Sequence, residues 1–328
     1  MKAVAIAAQL IDLELPQPQA QGRDLLVKVA AISVNPVDTK QRRAHNGPEP
    51  VVLGWDVAGT VVATGPQAGL FKVGDPVYYA GSITRPGANS EYHLVDERIV
   101  GRQPSSLDSE QAAALPLTSI TAWEALFERL GVARGGADQG KTLLVIGGAG
   151  GVGSIAIQLA SKLAGLTVIA TASRPESAAW CRQLGASHIV DHSGDMPAQL
   201  LALGIPTVDF ILCLNELDAH FAAIAAAIAP QGKICAIVKN EQPLPLELLF
   251  AKSATFVFEL MFTRSMFATR DMVEQHNLLT EVARLVDAGT LKTTLGERYG
   301  TINAANLARA HAALEARHAI GKIVLSGF

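Results

Sequence analysis

Lys141-Thr-Leu-Leu-Val-Ile-Gly-Gly-Ala-Gly-Gly-Val-Gly153 decides how this chain is read. Thr142 to Ile146 is a short apolar run rich in β-branched residues. It stops at glycines spaced as Gly148-x-Gly150-x-x-Gly153, and apolar residues then recur at helical spacing (Val152, Ile155, Ile157, Leu159, Leu163) up to Gly165. The order is strand, tight turn, helix. The first glycine is expected to make the turn, the second to let backbone approach a diphosphate, and the third to let the helix pack closely. A helix starting near Gly151 presents unpaired N–H groups and a positive dipole end, which suits an anion.

Beyond this stretch the alternation is regular. Strands are expected at Thr142 to Ile146, Thr167 to Thr171, His188 to Val190, Val208 to Leu214, Lys233 to Val238 and Thr255 to Glu259, separated by helical patterns or crossover-length segments. Six parallel strands make two mononucleotide-binding halves, an α/β doubly wound sheet of order 3-2-1-4-5-6 with a dinucleotide across the crevice between strands 1 and 4. A helix from about Asp271 to Ala288, another from Ala304 to Glu315 and a last strand, Lys322 to Leu325, follow and are expected to return to the N-terminal domain.

Upstream the chain is β-rich and punctuated by glycine. Leu25 to Ile32, Val57 to Thr64 and Pro76 to Ala80 read as strands between Gly65-Pro66 and Gly74-Asp75 turns, and Ala3 to Ala8 as a first strand too short for a signal peptide. Two loops stand out, Asn35-Pro36-Val37-Asp38-Thr39-Lys40 and Gly54-Trp55-Asp56-Val57-Ala58-Gly59; turn chemistry, with Asn35 and Asp38 capping backbone, accounts for them as well as function does. No helical periodicity is visible before Ser109. One helix ends at Leu115 before Pro116, and a second is expected over Ile120 to Leu130, stopped by Gly131.

Composition sets the outer limits. A chain of 328 residues with 49% hydrophobic residues can fill two cores. A net charge of -3 without a basic run excludes a nucleic-acid or anionic-membrane footprint, and no run is long and apolar enough to span a bilayer. Cys181, Cys213 and Cys235 are isolated, which fits a reducing, cytoplasmic setting, burial as small hydrophobes and no structural metal.

Five motifs in order carry a family resemblance over essentially the whole chain: Asn35-Pro-Val-Asp38, Gly54-x-Asp56-x-x-Gly59, Val73-Gly74-Asp75, Ala114-Leu-Pro-Leu-Thr-Ser-Ile-Thr121 and Gly147-Gly-Ala-Gly-Gly-Val-Gly153. The chain resembles the medium-chain dehydrogenase/reductase superfamily, and within it the quinone oxidoreductase-like branch often labelled zinc-type alcohol dehydrogenase-like. The resemblance implies a GroES-like β-rich catalytic domain at 1–119, with 263–328 returning to it, a Rossmann NADP-binding domain at 120–262, and a substrate cleft between them. It puts Asn35 near the nicotinamide and Thr121 on the nicotinamide side, with Trp55, Tyr79 and the Met261-Phe262-Thr263-Arg264 segment as weaker candidates for the substrate wall. Hydrophobic core is the competing reading for Trp55, Phe262 and Phe267. The cofactor set is Gly148, Gly150, Gly151, Val152, Gly153, Ser173, Arg174, His192 on the adenine side and Asn215.

The zinc enzymes of the superfamily use a cysteine in the first loop, a histidine in the second and a further cysteine or acid ahead of the Rossmann domain. Here Asn35 lies in the first loop, Trp55 replaces the histidine and Leu117 falls about where the third ligand would be. Indole and leucine cannot ligate zinc, and an amide is a poor substitute for thiolate, so no metal is expected. Without a Lewis acid the substrate must take hydride with little help, as a quinone or an α,β-unsaturated ketone or aldehyde does when the arriving charge delocalises to oxygen. A zinc alcohol dehydrogenase, an enoyl-thioester reductase and a non-catalytic or weakly catalytic nucleotide binder are the alternatives.

NADPH is expected rather than NADH. Strand 2 ends Ile169-Ala170-Thr171-Ala172-Ser173-Arg174, with no carboxylate for a ribose 2′-OH, a guanidinium at Arg174 and a hydroxyl at Ser173. Ser173-Arg-Pro-Glu176 also reads as a capping box for the next helix, Ser173 capping it and Glu176 reaching back. Finally, Ala254-Thr-Phe-Val-Phe-Glu-Leu260 would leave an edge strand apolar on both faces, which points to a homodimer.

Overall fold

In the computed structural model, which describes residues 1–328, the apolar N-terminal run is strand β1 (Lys2–Ile6), antiparallel to β2 (Leu10–Glu14). Strand β3 (Asp24–Ser33), exposed only at Lys28 and Ala30, then leads into a helix, α1 (Pro36–Ala44). That corrects the expected loop at Asn35 to Lys40. Only Asp38 and Thr39 of α1 are buried, so it has no apolar stripe to read, and it is set instead by Asn35 at its N-cap and Pro36 at its first position. The short β4 (Val51–Val52) joins β1. Strands β5 (Val57–Thr64), β6 (Pro76–Tyr79), β7 (Tyr92–Asp96) and β8 (Val100–Arg102) build an antiparallel sheet on β3.

Helix α2 (Ser109–Ala113) is followed by α3 (Pro116–Trp123) and, without a break, a π-helical turn at Glu124–Arg129. The single helix expected over Ile120 to Leu130 is corrected at both ends. Proline suits the first position of a helix, so α3 starts at Pro116, and its end widens until the Leu130 N–H reaches back five residues to the Ala125 carbonyl at 2.9 Å.

The next elements are β9 (Thr142–Ile146), α4 (Gly151–Leu163), β10 (Thr167–Thr171), α5 (Pro175–Leu184), β11 (His188–Val190), α6 (Met196–Ala202), β12 (Val208–Cys213), α7 (Leu217–Ala227), β13 (Ile228–Ala236), α8 (Glu247–Phe250) and β14 (Thr255–Phe258). Their strands form one parallel sheet of order β11-β10-β9-β12-β13-β14, the doubly wound order that the alternation requires. Leu143 to Ile146 are wholly buried, as both faces of a parallel sheet demand. The three cysteines are free and buried.

One expected feature of this region fails. Ser173 and Glu176 do not form the capping box; Arg174 is the N-cap of α5, and Ser177 supplies the reciprocal bonds, accepting from the Arg174 N–H at 3.3 Å and donating to the Arg174 carbonyl at 2.8 Å. Pro175 causes the shift. It fixes its own φ for the first helical position and forces the residue before it into extended backbone.

The tail comprises α9 (Thr263–Met266), α10 (Glu274–Asp287), β15 (Leu295–Arg298), α11 (Ala304–Glu315) and β16 (Lys322–Ser326). Strand β16 lies antiparallel to β3, with Val324 opposite Ser33, and carries the unanticipated, largely exposed β15 on its other edge. By contacts the chain thus forms two units: Met1–Ile120 with Phe262–Phe328, and Thr121–Met261. Phe262 is core, but Phe267 is 71% exposed, which corrects its core reading.

Candidate functional site

The turn between β9 and α4 shows what each glycine does. Gly147, one residue before the spaced triplet, carries the left-handed backbone (φ 88°), so it, not Gly148, makes the turn. A Cβ on Gly148 would lie 2.8 Å from Ala170 Cβ, and one on Gly153 would lie 2.4 Å from the Gly147 carbonyl oxygen. Both positions are closed by contact. A Cβ on Gly150 would meet nothing nearer than 3.5 Å, so this glycine leaves open space before α4. Helix α4 has no side-chain cap and no acidic residue in its first turn, so the amides around Gly151, Val152 and Gly153 face no competing anion of their own helix. A diphosphate fits there.

The carboxyl ends of neighbouring strands border this turn. Thr171, ending β10, accepts the Gly147 N–H on its hydroxyl at 2.9 Å, while Ser173 and Arg174 just beyond are exposed and half-buried. Asn215, past β12, lies against the turn, its Oδ1 3.0 Å from where a Gly147 Cβ would be. That oxygen is buried without a hydrogen-bond partner, as is Nδ1 of His192 past β11. Buried polar atoms left unpaired in a nucleotide-type crevice are what an absent ligand would satisfy. His192 packs edge-on to His220 of α7, ring centroids 6.2 Å apart. His220 had no signal beyond its place in an apolar helix.

In the other unit the sequence-selected residues meet a lysine that went unnoticed. The Asn35 amide donates to Asp56 Oδ2 at 2.8 Å and to the Ser33 carbonyl at 3.3 Å, and its Oδ1 accepts from Lys322 Nζ. Lys322 also donates to the Val34 carbonyl at 2.8 Å and pairs with Asp56 Oδ2 at 3.0 Å, while Asp56 Oδ1 accepts the Leu117 N–H at 2.8 Å. Everything in this knot is buried. Burial pushes the Asp56 carboxyl up against the pull of Lys322, and burial pushes Asp38, which accepts the Asn35 N–H at 2.6 Å, up to about 7. Both protons of the Asn35 amide are spent inside the fold, so the side chain offers a nicotinamide none. A lysine opening an otherwise apolar strand was the available signal for this cluster.

Two other expected wall residues are also committed. Tyr79, placed on the substrate wall by the sequence reading, is wholly buried; its hydroxyl donates to His93 Nδ1 at 3.0 Å, because His93 Nε2 must donate to the Pro86 carbonyl at 3.0 Å. It presents no atom to a substrate, which corrects that expectation. Burial holds the His93 imidazole down to about 4, so it stays neutral. Trp55 donates Nε1 to the Ser82 carbonyl at 3.2 Å and packs edge-on against Phe262. Thr121 is buried in the second turn of α3 rather than at a helix start.

With this geometry in view, the chain matches the alcohol dehydrogenase GroES-like domain family over residues 21–105 and the zinc-binding dehydrogenase family over residues 184–325. A zinc-type alcohol dehydrogenase-like protein of Staphylococcus aureus is 42% identical over 314 residues, covering 95% of this chain and 93% of that protein. The structure of a protein from Rhizobium etli, assigned as a zinc-dependent alcohol dehydrogenase, superposes with a TM-score of 0.96 at 52% identity, covering 100% and 98% of the two chains. An NADPH-dependent alkenal/one oxidoreductase of Arabidopsis thaliana is 34% identical over 239 residues, 68% of this chain and 60% of that one.

Zinc, which three of these names carry, does not fit the residues present. The Asn35 amide is engaged on both sides, Trp55 and Leu117 bring no ligand atom, and no three His, Cys, Asp or Glu side chains gather as a donor set.

Proposed function

Because the chain belongs to the medium-chain dehydrogenase/reductase superfamily, and so is an oxidoreductase, we propose that it uses NADPH to reduce a conjugated carbonyl, a quinone or an α,β-unsaturated ketone or aldehyde, without zinc. The observation that carries this reading is the uncapped N-terminus of α4 behind open space at Gly150, beside a β10 end that bears Arg174 and no carboxylate. When bound, NADPH supplies the hydride. The amides of the first turn of α4 hold the diphosphate, Arg174 and Ser173 the 2′-phosphate, and Asn215 and His192 polar groups of the nucleoside ends. Thr121 keeps its assignment to the nicotinamide side. Asn35, its amide fixed by Asp56 and Lys322, holds the fold of its own unit and is not proposed as a donor.

A guanidinium–phosphate contact is worth about 1.5–3 kcal/mol, or roughly 10- to 150-fold in affinity. Arg174→Ala should therefore weaken NADPH binding by about that factor and leave NADH nearly unchanged, as measured by fluorescence titration. Equal affinity of the unmutated protein for the two cofactors defeats the assignment. A second reading, a nucleotide binder with little turnover, gains support from Asn35, Trp55 and Tyr79, whose polar atoms are all engaged inside the fold. We also propose a cytoplasmic homodimer. Strand β14 is the unpaired edge of its sheet, Phe256 and Val257 are half-buried and Phe258 is 47% exposed, and pairing with a two-fold mate would cover it.

A further inference from the structure

Helix α7 carries a polar group that its packing does not use. Leu217, Phe221 and Ile224 of its buried side join the core of the parallel sheet, and His220 lies among them, 8% exposed, with Nε2 buried and without a hydrogen-bond partner. A polar atom left so in an apolar setting costs stability until something satisfies it. The ring that His220 meets does not do so. His192, past β11, packs edge-on to it with centroids 6.2 Å apart, and its own Nδ1 is equally buried and unpaired. The groups around His192 are committed elsewhere: Asp191 Oδ1 accepts the Ser193 N–H at 2.9 Å and hydroxyl at 2.7 Å, and the Gln199 amide bonds the Asp191 backbone at 2.7 and 2.8 Å. Glu216, whose carbonyl accepts the His220 N–H at 3.1 Å, holds left-handed backbone (φ 45°), a conformation that side-chain-bearing residues keep at a cost and often beside ligands.

We propose that His192 and His220 together read the edge of the cofactor's adenine, one ring nitrogen accepting from the 6-amino group and the other donating to a ring nitrogen beside it, so that His220 sets a preference for the unmodified base. This rests on the cofactor reading above, which puts the 2′-phosphate at Ser173 and Arg174 past β10. From that ribose the base runs on toward β11, the next strand in the sheet and the one that His192 follows. The chemistry matches on both sides. A neutral imidazole carries one N–H and one lone pair, and adenine presents a donor next to an acceptor along its edge. Burial, and then the charge of His192, hold His220 below its ordinary value, so it stays neutral and suits a neutral polar edge rather than a phosphate.

The test compares NADPH with its 1,N6-etheno derivative, in which a two-carbon bridge blocks that edge, on the full chain and on His220→Phe and His192→Phe. Phenylalanine keeps a flat ring for the edge-on contact and removes the nitrogens. The unmutated protein should bind NADPH about tenfold more tightly than the etheno derivative, and each substitution should weaken NADPH by about that factor while leaving the derivative nearly unchanged. In protein labelled with 15N at histidine, NADPH should shift one ring nitrogen of each residue, assigned by its loss in the matching variant, and the etheno derivative should shift neither. Equal affinity of the unmutated protein for the two dinucleotides, or ring nitrogens that NADPH leaves unmoved, overturns the base reading and leaves the cofactor reading standing. Substitutions that weaken both dinucleotides alike show a packing role only and overturn it too. If the protein binds neither dinucleotide, the cofactor reading fails and the base reading falls with it.

Discussion

Lys322 is one residue on which a whole corner of the unit Met1–Ile120 with Phe262–Phe328 depends. Its ammonium is almost fully buried and satisfied by Val34, Asn35 and Asp56, so removing it strands the Asp56 carboxylate without its charge partner. Breaking one side of a buried pair costs about 3–5 kcal/mol. Lys322→Met should lower stability in urea unfolding by about that much, and a loss under about 1 kcal/mol would show that the pair contributes little. Asp38 gives a pH prediction with a definite sign. Its folded-state value of about 7 exceeds the ordinary 3.8, so the native state holds the proton more tightly and this contribution to stability is lost as pH rises from 3.8 to about 7. Asp38→Asn should flatten that decline, since the amide oxygen can still accept the Asn35 N–H. Parallel slopes in the two proteins between pH 4 and 7 would contradict it.

At the scale of elements, the turn entering α4 leaves no room for a side chain at its last glycine. Gly153→Ala would place a methyl 2.4 Å from the Gly147 carbonyl oxygen, a backbone atom that cannot swing aside. Overpacking of this kind costs about 1–3 kcal/mol. It should also displace the first-turn amides and weaken NADPH binding; a variant with unchanged melting temperature and Kd would refute that geometry. The sheet was legible in the sequence because each parallel strand is buried on both faces and reads as a β-branched apolar run, as Leu143 to Ile146 does. Elements held by other means were not. Helix α1 has two buried residues and is set by its cap, β15 is largely exposed, and the π-turn pairs its Arg129 at 2.7 Å with Glu259, a residue far off in the chain. In the candidate site the glycine turn was readable because backbone conformation constrains residue type locally. The Asn35–Asp56–Lys322 knot was not, because only the return of β16 to β3 brings its lysine home.

For the whole molecule, the exposed edge of β14 makes assembly testable apart from catalysis. Phe258→Glu would put a charge on that edge, and light scattering at micromolar concentration should then report monomer where the unmutated protein reports dimer. Monomer in both cases would contradict the dimer. The central claim is zinc-independent, NADPH-driven reduction of a conjugated carbonyl. Its most direct test is NADPH consumption by chelator-dialysed protein, shown by elemental analysis to hold less than about one-tenth equivalent of zinc, against 1,4-benzoquinone, an enal, an enone and a saturated ketone. The account predicts turnover of at least one conjugated substrate, none of the saturated ketone, and no gain when zinc is added back; NADPH binding without turnover of any of them, or activity that returns only with zinc, would contradict it.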